Sequence, residues 1–464
     1  MNKHVNIPWG PSTSPEPSAQ EILRRLNEQV PPPLNSEHAE FLGTEDIAYE
    51  RYTSPEFFQR EMDHIWTRVW QWACRLEHIP EVGDYVVYDI GKYSIIVVRT
   101  SPTEIRAFHN SCLHRGTKLC ASHSQGSKPD FRCPFHGWTW NLDGTLKDIP
   151  SKWDFAHVDE ARFRLPEVKV DTWGGFVFIN MDENARPLHE YLGVIPEHFR
   201  NWDMENRYIT LHIQKELPCN WKAAAEAFME NYHTRETHPQ LLASTSEPST
   251  QYDIYGDHVS RFYALMGIQS PHLERKLTEQ ELLDQFLISD SSVKEQHRPK
   301  VPEGGTARAT MAKILREQFA AGDVETSHLS DSEIVDTIEY TIFPNMFVFP
   351  GLSLPMVYRF RPLGNDPEKS LFDLLYLRPV PRSGERPEPP EPVRIGIHDS
   401  YTSVPGMDRN MGIVYDQDTG NLAHQQEGFH ASKKPGETLG NYQEIRIRHF
   451  HRTIDKYLNG EPVK

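Results

Sequence analysis

Cysteine is scarce in this chain. There are five in 464 residues, at positions 74, 112, 120, 133 and 219. So few and odd a number excludes a disulfide framework, and the thiols are expected to be reduced. No run of 18 apolar residues exists, which excludes a membrane-spanning helix. The first eight residues, MNKHVNIP, lack the apolar stretch of a secretory signal, so a cytoplasmic protein is expected. Positive charge is in deficit: 49 Lys and Arg stand against 66 Asp and Glu, a net charge of −17. That excludes nucleic acid as a partner, because no cationic surplus is present to displace phosphate counterions. There is no internal repeat. A chain this long has room for two or three domains with a sizeable core.

Two of the scarce cysteines stand beside histidines. Cys112 and His114 form Cys-x-His, and Cys133 and His136 form Cys-x-x-His after the 18 residues from 115 to 132. With 5 Cys and 23 His in 464 residues, each short pattern arises by chance about 0.25 times. Both together, followed by HRG at 114–116 and HGW at 136–138, are hard to obtain by accident. Two thiolates for one iron and two imidazoles for the other are the ligands of a Rieske [2Fe–2S] centre. Neutral imidazoles raise its potential into a window of about −150 to +300 mV, so the site reads as an electron relay. A structural zinc site uses the same residue types. It usually groups Cys with Cys and His with His, whereas each half here holds one of each.

Around these motifs the pattern is of short strands. The β-branched runs 86–88 and 95–99 flank Ile90-Gly91-Lys92, a hairpin signal. Segments 104–109 and 172–180 are expected to be further strands. Upstream, helices are expected over 19–29, stopped by Pro31 to Pro33, and from Pro55 within 49–70. Downstream, strands are expected over 208–217, 338–349, 356–361 and 370–378. The span 270–335 has helical character, and a terminal helix is expected within 436–458. The whole reads as α+β.

A second cluster of chemistry lies in NWKAAAEAFMENYHTRETH, residues 220–238. Its first half is a strong helix former. Glu230 and His233 are three apart and share a face. His233 and His238 are five apart, about 140° out of register on an ideal helix. They reach one metal only if the helix ends or bulges between them, which Pro239 favours. Alone, the pair is also read as two surface histidines at a helix end.

These motifs resemble those of the Rieske non-haem iron oxygenases, in their large catalytic α subunit. The resemblance runs from about residue 45 to the C-terminal IRIRHFHRTIDKYL, and is densest at the two motifs above. It implies a Rieske antiparallel β domain over 48–185, after an N-terminal arm at 1–47. It implies a helix-grip (START-like) catalytic domain over 186–464, with a long antiparallel sheet and covering helices. The 18-residue gap is slightly long for the family, and Phe135 stands where Tyr is frequent.

The resemblance further implies that Cys112, His114, Cys133 and His136 hold the cluster. His233 and His238 would hold a mononuclear Fe(II), with a carboxylate from VYDQDTGNLAHQQ, residues 414–426. Asp418 is preferred there, with Asp416 as its competitor. Two His and one carboxylate leave open positions on the iron. Glu230 would bridge the cluster ligand His136 of one subunit to His233 of another; Glu236 is the alternative. Electrons from NAD(P)H, delivered by a reductase or ferredoxin, would serve O2-dependent hydroxylation or dealkylation of a small organic, typically aromatic, substrate. A homotrimer is expected, and the family also contains α3β3 hexamers. Rival readings are a Rieske electron carrier without oxygenase activity and a zinc-stabilised binding protein. Pocket walls are expected from 226–237, 338–351 and 356–360. Phe343, Met346, Phe347 and Phe349 read as core more than pocket. Arg359 and Arg361 read as surface residues or as partners of a substrate carboxylate.

Overall fold

The computed structural model describes residues 10, 13–288 and 299–463. The chain divides into two compact units, one formed by residues 60–191 with 362–365, the other by the remainder. Among the described residues no helix is long and apolar enough to cross a membrane.

In the smaller unit a seven-stranded sheet runs in the order Gln71–Arg75, Phe176–Asn180, Glu167–Trp173, Glu104–His109, Tyr93–Ser101, Asp84–Ile90 and Gln125–Ser127. Alternation sets its inner face. Tyr85 opposes Val98, Val87 opposes Ile96, and Ile96 opposes Phe108. All five are buried, and each buried Val or Ile side chain contributes about 1.5–3 kcal/mol. A three-stranded sheet of Phe131–Arg132, Thr139–Trp140 and Leu146–Asp148 joins the same core through Phe131 and Trp140. Cys112 and Cys133 belong to that core too. The segment 172–180 is not one strand. Its Gly174-Gly175 pair, both at positive φ, turns the chain between Glu167–Trp173 and Phe176–Asn180 as a hairpin.

The larger unit is built on an eight-stranded sheet. Its order is Gln251–Tyr255, Val259–Ala264, Thr337–Ile342, Met346–Val348, Met356–Pro362, Ser370–Pro379, Arg207–Leu217 and Val393–Ile395. The last pair is parallel. The run 338–349, expected as a single strand, is broken at Phe343-Pro344-Asn345 into an antiparallel pair. Proline lacks the N–H that a continuing strand donates. Phe343, Met346, Phe347 and Phe349 are all buried. Phe343 stacks on Tyr457 of the helix Ile445–Asn459, with ring centroids 5.5 Å apart. Arg359 and Arg361 are not surface residues. Both are buried and donate to the Asp373 carboxylate. Burial alone would raise the pKa of Asp373, and the two guanidinium groups hold it well below the usual carboxylate range.

Three helical segments of this unit carry or support the second motif: Trp221–Glu226, Arg409–Ala431 and Ile445–Asn459. Asp408 caps the second of them, its side chain accepting the N–H groups of Asn410 and Met411. Arg446 of the third is buried and pairs with buried Glu339 of the sheet through contacts of 2.6 and 3.0 Å.

Candidate metal centres

The two Cys/His loops of the smaller unit share one backbone plan. Cys112 N–H donates to Thr117 O, and Cys133 N–H donates to Trp138 O, each at 2.8 Å. Gly116 N–H returns to Cys112 O, and Gly137 N–H returns to Cys133 O. The closing glycines have φ of 81° and 78°, a conformation that side chains disfavour. The glycine four residues after each cysteine is therefore what closes each loop. The loops bring the His114 and His136 rings to 4.7 Å between centroids. Trp138 stacks on His114 at 5.1 Å with 1° between planes.

These residues fit an iron–sulfur pair. The Nδ1 of His114 is buried without a hydrogen-bond partner, as a nitrogen awaiting a metal would be. Burial, then His136, holds His114 below its usual pKa, in the neutral form that ligation requires. Burial pushes the Cys112 thiol up, and neighbouring Cys133 adds to the rise. A thiol raised in this way gives up its proton beside a cation. The other cysteines, Cys74, Cys120 and Cys219, are buried and outside any disulfide. Burial pushes Cys120 up to about 11.

In the larger unit the helix after Asn220 is short. It ends at Glu226, and a turn carries Glu230 to His233. The Glu230 carboxylate accepts both the main-chain N–H of His233, at 2.9 Å, and its Nδ1–H, at 2.6 Å. One helical turn, Thr234–Thr237, follows, and His238 leaves it at φ −125° and ψ 57°. The two breaks remove the register conflict of a continuous helix. The His233 and His238 rings stand 5.2 Å apart at 74°.

Asp418 meets them from the helix Arg409–Ala431. Its Oδ1 lies 2.6 Å from His238 Nε2 and 3.5 Å from His233 Nε2. Facial ligands about 2.1 Å from one ion stand about 3 Å apart, so this triad matches the spacing a metal asks for. Asp416 faces elsewhere: its carboxylate accepts from the Ser400 hydroxyl and the Tyr401 N–H. Glu236 is exposed, with 87% of its side-chain surface open. Burial would lower the pKa of His233, but Glu230 and then Asp418 raise it to about 9. The site attracts positive charge where a cation would stand.

Two features had no signal in the sequence. The Gln417 amide oxygen accepts from His238 Nδ1–H at 2.8 Å and from the Gln240 amide at 2.7 Å. Separately, Glu226, Glu437 and His451 converge on the Tyr52 hydroxyl at 2.6–3.0 Å.

A sequence profile of the ring-hydroxylating alpha subunit catalytic domain matches residues 197–460, and one of the Rieske [2Fe–2S] domain matches residues 69–159. Among curated relatives, the glycine betaine monooxygenase oxygenase subunit of Pseudomonas aeruginosa is 31% identical over 219 residues, 46% of this chain and 51% of that one. The benzene 1,2-dioxygenase subunit alpha of Pseudomonas putida is 31% identical over 253 residues, 49% of this chain and 56% of that one. The chain spans about half the length of the curated relatives it matches. The solved structure of a quaternary ammonium Rieske monooxygenase shares the fold at 18% identity, with a TM-score of 0.62 over 89% of this chain and 95% of that one. Naphthalene 1,2-dioxygenase with indole bound does so at 18% identity, with a TM-score of 0.60 over 90% and 93%.

Proposed function

This chain belongs to the Rieske ring-hydroxylating oxygenase α subunits, and from that premise we propose that it hydroxylates a small organic substrate with O2 and reductase-delivered electrons. The observation that carries the reading is the convergence of His233, His238 and Asp418 in one unit, together with a separate Cys/His loop pair in the other.

Cys112, Cys133, His114 and His136 would hold the [2Fe–2S] cluster. His233, His238 and Asp418 would hold Fe(II). When bound, these groups supply single-electron transfer and dioxygen activation. The chain's own residues do the rest. Glu230 holds a proton of His233 on Nδ1, so that a cation taking the place of the second proton, between Nε2 and Asp418, would meet the Nε2 lone pair. Glu230 also offers a carboxylate to a donor from outside, which by this reading is His136 of the partner subunit in a trimer. His136 is exposed, and so are its neighbour Phe135 and, beside His233, Tyr232. Within the larger unit Phe228, Tyr358, Phe372 and Tyr415 form an aromatic group with centroids 5.3–6.2 Å apart. Burial, with smaller help from Asp418 among others, pushes the Tyr358 phenol well up, which keeps it neutral. These rings are buried against one another; where they border the substrate they would suit a flat apolar ring or a trimethylammonium group. The scarcity of cysteine, five in 464 residues, supports a cytoplasmic location.

The test is an anaerobic preparation assayed for iron, colour and oxygen uptake. About three irons per chain, a red-brown spectrum and NAD(P)H-dependent uptake with a surrogate reductase are expected. Substrates to screen are aromatic acids, methoxyarenes and quaternary amines. About two irons and no uptake would identify a carrier, and a colourless zinc protein would sink the reading outright.

A further inference from the structure

We propose that Gln417 selects the tautomer of His238, and through it sets how tightly the His233–His238–Asp418 site holds its metal. The inference rests on the reading of that triad as the iron site.

His238 is buried at 3% exposure, and both its ring nitrogens are engaged. Nε2 lies 2.6 Å from Asp418 Oδ1, and Nδ1 lies 2.8 Å from Gln417 Oε1. A neutral imidazole carries one N–H, so only one of these contacts is donated by the ring at a time. With the proton on Nδ1, the ring donates to Gln417 and Nε2 offers a lone pair to a cation. With the proton on Nε2, the ring donates to Asp418, and the lone pair a metal needs is consumed.

The two histidines are governed differently. His233 has a carboxylate on Nδ1, and a carboxylate only accepts. Glu230 is locked further by the main-chain N–H of His233. His238 has an amide, which presents oxygen or NH2 according to its orientation. What orients it is Gln240, whose NH2 donates to Gln417 Oε1 at 2.7 Å. That contact keeps the oxygen toward His238 and the proton on Nδ1. Turning both amides together gives the opposite arrangement: Gln417 donates to Nδ1, and Nε2–H faces Asp418. Gln417 and Asp418 are consecutive on one helix, about 100° apart. They grip the same imidazole at its two nitrogens, one to aim it and one to share the ion. The ring stays neutral across this selection: solvent delivers one proton to Nδ1 and takes one from Nε2, while the amides exchange donor and acceptor.

The experiment is Fe(II) titration into protein stripped of its mononuclear iron with the cluster retained. Gln417→Met keeps the size and removes the acceptor. It is expected to weaken Fe(II) binding about 10–100-fold, the usual effect of removing such an outer contact. Gln417→Glu restores an obligate acceptor and is expected to bind at least as tightly as the parent. Gln240→Met, on the exposed side, should weaken binding by less than Gln417→Met. It also reads the same device should Gln417→Met fail to fold. 15N shifts of His238 in the metal-free protein are expected to show Nδ1–H in the parent and the Glu variant, and loss of that preference in the Met variant. A merely structural glutamine would move the melting temperature without this pattern. Parental Fe(II) affinity in both Met variants overturns the proposal. Asp418→Ala is the separate control: if it binds Fe(II) as the parent does, the triad itself is wrong and not only the role of Gln417.

Discussion

The main-chain N–H of Asn220 donates to the side-chain oxygen of Gln426 at 2.9 Å, across 206 positions of sequence. Asn220 opens the helix that leads to Glu230 and His233, its side chain accepting from Lys222 N–H. Gln426 sits on the helix that carries Asp418, two turns further along. This hydrogen bond joins the start of the histidine segment to the carboxylate helix, and Gln417 of that helix meets the segment again at His238 and Gln240. The Asn220 amide also donates to Tyr52 O and Pro367 O.

Replacing Asn220 by Ala removes the helix cap on Lys222 N–H and the donor to the part-buried Pro367 O, while Tyr52 O keeps the Gln426 amide as its donor. A loss of about 2–4 kcal/mol is expected from the cap and the unsatisfied groups together. Chemical denaturation of the iron-free protein measures it. A second consequence is weaker retention of mononuclear iron on dialysis, with the cluster spectrum unchanged.

Asp418→Ala should abolish mononuclear iron while leaving the visible spectrum of the cluster intact. Asp416→Asn should keep both, because Asp416 is occupied by Ser400 and Tyr401. Iron analysis of the two variants side by side decides which carboxylate serves. Iron lost from Asp416→Asn and kept in Asp418→Ala would reverse the assignment.

Glu230→Ala is expected to keep the cluster, to weaken mononuclear iron binding about 10–100-fold through loss of the His233 Nδ1 acceptor, and, with Fe(II) supplied to saturation, to lower coupled turnover by at least about 100-fold. Reduction of the cluster by the reductase should proceed at the parental rate. Normal turnover in this variant would remove Glu230 from the route.

The Tyr52 network gives a pH dependence. Burial, then the Glu226 carboxylate, pushes Glu437 up to about 8 from an ordinary value near 4.5. Between those two values the folded protein holds a proton that the unfolded chain has released. The contribution to stability is full below pH 4.5 and is lost as pH rises through 8, with a slope of at most about 1.4 kcal/mol for each pH unit. Glu437→Gln should flatten the fall in melting temperature as the solution is taken from about neutral pH through that upper value. An equally steep fall in the variant would place the titrating group elsewhere.

Local chemistry was legible where it is carried by neighbours in sequence. The Cys112/His114 and Cys133/His136 loops are closed by glycines four residues after each cysteine, so spacing and backbone conformation coincide there. The break between His233 and His238 was foreshadowed by their impossible helical register and by Pro239. Strand ends were less legible. Apolar content is the same across a hairpin as along a strand, so 172–180 and 338–349 looked continuous. Only Gly174-Gly175 and Pro344 mark where the chain turns.

By itself the sequence determined the residue types that can bind iron, their spacing within each loop, and the family whose motifs they match, because these are properties of adjacent positions. The tertiary structure alone decided which of Asp416 and Asp418 faces the histidines, that Arg359 and Arg361 are consumed by Asp373, and that Gln417 stands on His238. Those depend on how a distant helix is rotated against the histidine segment. The hydrogen bond of Asn220 to Gln426, the contacts of Gln417 with His238 and Gln240, and a packed interface set that rotation, and none of them leaves a periodic trace along the chain.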